Sequence, residues 1–297
     1  MGRFCFGAGG RRAAVALAFA ASASLAAPLA ARAQAGFPDG KFAAIVVEAD
    51  TGKVLYARNP DSRRYPASLT KVMTLYLAFD ALQRGRLKLD DRITVSRHAA
   101  DQRPTRIGLR PGQSITVRDA INVVAVKSAN DAAAALAERI GGSESGFAEM
   151  MTRKARDLGM TETRFYNASG LPDARHVSSA RDLAILGRAV VRDFPQYYGV
   201  FGQKETTFRG RWVPGHDHLL AMKGVDGMKT GYTVASGFNL ISSGVRDGKR
   251  IVAVVLGGAT ARTRDHFMER LLMAGFDAER ATEHSVDRVA QAGVGAG

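Results

Sequence analysis

Three short clusters in this chain combine residue types that perform acyl transfer. The first is Ser68-Leu69-Thr70-Lys71. A serine hydroxyl is a weak nucleophile until a base takes its proton. A spacing of three along a helix brings Lys71 onto the same face, one turn on. A neutral amine held there serves as that base when burial and cationic neighbours lower its pKa. Ser68 is read as opening the helix, which places its hydroxyl in the positive field of unpaired N–H groups. The second cluster is Ser128-Ala129-Asn130. Set between two helices, it presents a hydroxyl that relays a proton and an amide that both donates and accepts, which suits a peptide backbone. The third is Lys229-Thr230-Gly231, followed by Tyr232. A strand edge bearing Lys and Thr binds a carboxylate, and Gly231 lets a substrate backbone come close. Alone, each cluster has an ordinary reading as a helix cap, an interhelical turn or a turn tripeptide. Each occurs once, in that order, and each falls on the kind of element its chemistry requires.

The surrounding pattern supplies those elements. Residues 43–49 read as a strand, Asp50-Thr51-Gly52 as a turn, and residues 53–57 as the return strand of a hairpin. A helical pattern follows Pro66 and runs from Ser68 to Leu82. Thr116 is placed to cap a helix that starts at Val117, Ser128-Ala129-Asn130 interrupts it, and helix resumes from Asp131 to Ile140. Further helices fit 143–158 and 178–192. Strands at 238–245 and 250–256 meet at the turn Asp247-Gly248. A helix over about 262–276 closes the fold, and residues 279–297 are expected to form a loose tail. Strands therefore come from both ends of the chain and helices from its middle. The fold class is α+β, an antiparallel sheet covered by helices with an inserted helical lobe.

Composition narrows the function. The chain has 297 residues, of which 46% are hydrophobic and 24% charged. That excludes a disordered chain, a collagen-like fibre and a small disulfide scaffold. Cys5 is its one cysteine, so no cysteine-ligated metal site is available. His216 and His218 lie two apart without a third ligand of clear spacing and read as a loop at the rim of a cleft. P-loop and dinucleotide fingerprints are absent, and neither metal nor cofactor is expected. Arg3, Arg11 and Arg12 precede the small-residue apolar run 13–30, and cleavage sites follow at Ala33 or Ala35. Residues 1–33 thus read as an export signal. Net charge is +14, and residues 1–33 supply four arginines and no acid, which leaves +10 without them. An exported basic protein meets anionic wall polymers or membrane surfaces rather than nucleic acid.

The set S-x-x-K, S-x-N, K-T-G, with S-D-N as the common middle member, marks penicillin-binding proteins and class A β-lactamases. The stretch 37–276 resembles a D-alanyl-D-alanine carboxypeptidase of the low-molecular-mass penicillin-binding proteins. Tyr65-Pro66-Ala67-Ser68, Asn167-Ala168-Ser169-Gly170-Leu171-Pro172 and residues 225–233 look like the same family. The resemblance implies a β-lactamase/DD-peptidase-like catalytic domain over 37–278. It implies attack by Ser68 on the penultimate D-alanine carbonyl of a peptidoglycan stem peptide, with Lys71 as base and Ser128 as proton relay. Asn130 would hold the substrate amide, and Lys229 and Thr230 the terminal carboxylate. The backbone N–H groups of Ser68 and Tyr232 would form the oxyanion hole. Gly257-Gly258 leads to Arg262 and Arg264, and Arg264 matches the family's spacing better as a further carboxylate ligand. β-Lactam antibiotics would acylate Ser68. A β-lactamase also needs a glutamate on an E-x-x-x-N loop. Glu162 precedes Asn167 by five residues rather than four, so slow deacylation is expected. Many relatives add a β-rich domain and an amphipathic anchor, whereas here about 20 residues follow Phe276. The expectation is a periplasmic enzyme with no stable membrane anchor after signal cleavage. Short relatives that cut cross-links as endopeptidases keep that substrate open.

Overall fold

The computed structural model describes the backbone of residues 37–38 and 40–294, with side chains as far as Glu279. The expected export signal at 1–33 lies outside the described residues. Strand β1, Ala43–Glu48, is apolar almost throughout and buried at every position, which is the pattern of an interior strand covered on both faces. Its hairpin partner β2, Val54–Arg58, is largely exposed and forms one edge of the sheet. The other long strands come from the far end of the chain: β7, Val225–Thr233; β8, Gly237–Arg246; and β9, Lys249–Gly258. The order is β2-β1-β9-β8-β7, antiparallel throughout, with Val46 opposite Ala253. Asp247 and Gly248 both take positive φ, as a two-residue hairpin turn between β8 and β9 requires. Edge strand β7 carries Lys229, Thr230 and Gly231.

Helices bring the other two clusters to that edge. A 3-10 turn, Ala67–Leu69, leads into α1, Thr70–Gln83. Ser68 therefore sits in the turn just before the helix rather than opening it. Eleven residues of α1 are buried, Lys71 among them, so it is a core helix enclosed nearly all round. Thr116 caps α2, Val117–Val126, by accepting from Asp119 N at 3.0 Å. The chain breaks at Ser128, and α3 runs from Asn130 to Gly141. Helix α4, Glu144–Asp157, completes the lobe, and Ser143 and Ser179 cap α4 and α5, Ala180–Asp193. Gly187 of α5 lies against Val252, whereas Gly275 lies against Ile251 and Val46. Successive residues of a strand face opposite ways, so α5 and the C-terminal helix α6, Ala261–Val294, cover opposite faces of the sheet.

One further expectation is corrected, and one element had no reading in the sequence. The closing helix does not stop near 276: its backbone is helical to Val294, where a loose tail was expected. Residues 277–292 contain neither Gly nor Pro, so nothing in them ends a helix. A small hairpin, β5 (Glu205–Phe208) with β6 (Arg211–Pro214), went unread because four-residue strands with charged ends show little alternation. A second short pair, β3 (Arg92–Thr94) with β4 (Ser114–Thr116), borders the lobe.

Candidate active site

All three clusters meet at one cleft of about 480 Å³ between β7 and the helical lobe. Ser68, Ser128, Asn130, Thr230, Tyr232 and Arg264 are among its lining residues, together with Gly231. Lys71 and Lys229 lie behind this surface, at 0% and 2% exposure. Lys71 Nζ is 3.0 Å from Ser68 Oγ and donates to the Ser169 carbonyl at 2.6 Å. Burial holds its pKa well below that of an ordinary amine, and the charge of Lys229 lowers it further against the opposing pull of Glu144 and Asp131. Lys71 is thereby biased toward the neutral amine that a general base requires. Lys229 is pushed down to about 8, first by burial and then by Arg264, against the attraction of Asp217. It stays mostly charged at neutral pH.

The turn bearing Ser68 and the second cluster are held in uncommon backbone states. Ala67 and Ser128 take φ of 51° and 62°, in the left-handed region that non-glycine residues seldom occupy. Such positions persist only where surrounding structure over-determines them. At Ser128 the clamp is visible. Its carbonyl accepts from Thr105 Oγ1 at 2.9 Å, and Asn130 Nδ2 donates to the Arg103 carbonyl at 2.7 Å. That leaves Ser128 Oγ and Asn130 Oδ1 without a partner among the described residues although both are buried. Buried polar atoms are costly to leave unpaired, so these two are free to meet a ligand in the cleft they line.

Several supporting residues escaped the sequence reading. Asp131 accepts from the backbone N–H groups of Ile107, Gly108 and Leu109, which ties down the loop carrying Pro104 and Thr105 over the cleft. Asn167 Oδ1 accepts from Gly170 N at 2.7 Å and shapes the loop whose Ser169 carbonyl holds Lys71. Buried Asn239 donates to the carbonyls of Tyr65 and Pro66 at 3.0 and 3.3 Å. Its own carbonyl accepts from Arg264 Nη1 at 2.9 Å. Arg264 is 2% exposed and also pairs with Asp265, so it is a built part of the cleft rather than a solvated first-turn arginine. The contacts of Asp131, Ser169 and Asn239 have no local signal, because their partners are distant in sequence. His216 and His218 do lie at the cleft. Tyr232 is 53% exposed and packs tilted against Phe238 with ring centroids 4.3 Å apart. Gly231 is so close to the nucleophile's turn that a Cβ would stand 3.1 Å from Ser68 N, which explains the glycine. Glu162 does not reach the cleft: it pairs with Arg63 at 2.7 Å on the surface. Among the described residues, no aspartate or glutamate lines the cleft.

Known proteins resemble this chain in sequence and fold. A family model described as D-alanyl-D-alanine carboxypeptidase matches residues 39–260. The D-alanyl-D-alanine carboxypeptidase DacC of Escherichia coli is 40% identical over 240 residues, covering 78% of this chain and 60% of that protein. Penicillin binding protein 5 from Haemophilus influenzae superposes with a TM-score of 0.77 at 36% identity, covering 81% of this chain and 72% of that one. Penicillin-Binding Protein D2 from Listeria monocytogenes, solved in a cefotaxime-bound form, gives 0.72 at 32% identity, covering 79% and 96%. The chain spans about three-fifths of the length of such curated carboxypeptidases. With the family model spanning most of the chain and the cleft assembled from that family's three motifs, this protein belongs to the D-alanyl-D-alanine carboxypeptidase family.

Proposed function

We propose that the protein is a serine D-alanyl-D-alanine carboxypeptidase that trims peptidoglycan stem pentapeptides. The observation that carries this reading is the buried, pKa-lowered Lys71 amine 3.0 Å from Ser68 Oγ. Ser68 Oγ attacks the carbonyl of the penultimate D-alanine while its proton passes to Lys71. The backbone N–H groups of Ser68 and Tyr232 hold the oxyanion, an arrangement worth about 3–4 kcal/mol per donor. The C–N bond then breaks. A proton relayed through Ser128 reaches the leaving amine, and free D-alanine departs. Water hydrolyses the ester, returning the hydroxyl to Ser68 and the shortened stem to solution. Asn130 binds the substrate amide, while Thr230, Arg264 and the charge of Lys229 attract the terminal carboxylate. Among the described residues the cleft lining holds no glutamate of the kind a β-lactamase uses to activate water, so a penicilloyl ester deacylates slowly and β-lactams inhibit. The pattern in residues 1–33 supports export to the periplasm with residues 37–278 as the catalytic domain. Among the described residues, no helix is long and apolar enough to cross a membrane.

The test is mass spectrometry of a soluble pentapeptide and of a cross-linked muropeptide dimer after incubation with enzyme or with Ser68→Ala. Loss of one D-alanine from the pentapeptide is expected, slowed about 10³-fold or more in the variant. Cleavage of the dimer alone shifts the substrate to cross-links. Turnover of neither, without penicillin acylation at Ser68, overturns the reading.

A further inference from the structure

Beyond the cleft, the surface continues as a series of depressions that share their walls. Gly170, Leu171 and Thr233 line both the catalytic cleft and an adjoining apolar pocket of about 250 Å³. Ala174 belongs to that pocket and to the next, a depression of about 590 Å³. Arg156, Arg164 and Tyr166 are common to this one and to a fourth, of about 500 Å³. The loop 167–176 thus has the nucleophile's cleft at one end and an arginine-rich groove at the other.

Five arginines border that groove: Arg63, Arg153, Arg156, Arg164 and Arg175. Three are matched by carboxylates, in the pairs Arg63–Glu162 at 2.7 Å, Arg175–Asp173 at 2.8 Å and Arg153–Glu149 at 3.8 Å. Arg156 and Arg164 have no carboxylate partner among the described residues. Arg164 and Arg175 lie over the Tyr166 ring, 4.9 and 4.1 Å from its centroid. Stacking on an aromatic ring orients a guanidinium while leaving its edge N–H groups available, and that edge fits a carboxylate bidentately.

We propose that this groove is a second binding site, which holds the free carboxylates of neighbouring stem peptides on a peptidoglycan strand while one stem occupies the cleft. The assignment rests on the carboxypeptidase reading for the identity of that stem. The terminal D-alanine is drawn toward Lys229, Thr230 and Arg264, and the apolar pocket leads on from the cleft at Gly170, Leu171 and Thr233. The rest of the strand passes over this pocket and meets Arg156 and Arg164. A polymeric substrate engages both sites, whereas a short soluble peptide engages only the first. The gain is one of effective concentration.

The experiment compares the wild type, R156E/R164E and the charge-matched control R97E/R211E, whose arginines are exposed and lie outside the groove. Co-sedimentation with purified sacculi is measured at about 50 and about 300 mM salt. The rate on sacculi is measured relative to that on a soluble pentapeptide. The proposal expects R156E/R164E to bind sacculi about tenfold more weakly at low salt and to lose a similar factor in that rate ratio, with the control close to wild type. An unchanged ratio and unchanged binding overturn it. So does equal weakening in the control, which would make the effect one of net charge. Undiminished binding to sacculi stripped of stem peptides by an amidase, or equal binding to anionic vesicles, assigns the groove to another partner and overturns it. A wild type that sediments through Arg156 and Arg164 but releases no D-alanine from the pentapeptide refutes the carboxypeptidase reading and leaves the groove standing.

Discussion

Two buried lysines share one cleft, and their division of labour follows from their surroundings. Lys71 is fully buried and meets the like charge of Lys229, which together outweigh the pull of Glu144 and Asp131, so it leans toward the neutral amine. Lys229 has Asp217 to sustain it and keeps its proton up to about pH 8. The pH profile of kcat/KM should therefore be bell-shaped. Activity falls at low pH as Lys71 takes up the proton that disables it. It falls again above about 8, as Lys229 loses the charge that attracts the substrate carboxylate. In Lys229→Gln, residual activity should lack the alkaline limb. Its acidic limb should move to higher pH, because removing a like charge raises the pKa of Lys71. An acidic limb that stays in place would remove Lys71 as the titrating base.

Among the elements, the loop 167–176 stands closest to the chemistry. It is bound to α1 through Thr74 Oγ1, which donates to the Ala168 carbonyl at 2.6 Å, and through Lys71. Buried His176 accepts from Tyr166 N at Nδ1, so Nε2 carries the proton and faces Thr70 Oγ1 at 2.8 Å. Burial lowers its pKa to about 4 and keeps it neutral. Gly170 has φ of +80°, and a Cβ there would stand 1.8 Å from the Ala67 carbonyl oxygen. The clash is with backbone beside the nucleophile, which no rotamer change relieves. Gly170→Ala should cost about 3 kcal/mol, combining left-handed strain with displacement of the turn. Urea unfolding would show the loss, and kcat should fall with it. A variant of wild-type stability and activity would show that the turn tolerates movement.

At the scale of the whole molecule, Asn239 links the two ends of the chain. Its amide meets Tyr65 and Pro66 from the first quarter of the sequence, and its Oδ1 accepts from Gly257 N at 3.0 Å on β9. Asn239→Ala would take the side-chain partner from the Tyr65 carbonyl and from the buried Gly257 N–H, while the Pro66 carbonyl keeps the Leu69 N–H. At about 1–3 kcal/mol for each such group, less what relaxation recovers, the loss should be about 3 kcal/mol. The melting temperature should then fall by about 6–12 °C. Catalysis should suffer as well, since the turn bearing Ser68 and the arginine at the far side of the cleft share this brace. A melting temperature within a degree of wild type would refute that role.

What the sequence determined by itself is local. The bounds of the helices in the middle of the chain, the Thr116 cap, the turns at 50–52 and 247–248 and the three motifs follow from patterns within a few residues, because periodicity and capping are short-range physics. The same patterns led to the fold class, through strands at both ends and helices between. Tertiary structure decided the rest. It enclosed Lys71 and Lys229 and so lowered their pKa values, through burial that no local pattern encodes. It drew Asp131, Ser169 and Asn239 into support of the cleft across long separations, and it turned Arg264 inward. It also placed Arg156 of α4 and Arg164 beside Arg175 of the loop 167–176, a convergence that only the folded chain makes.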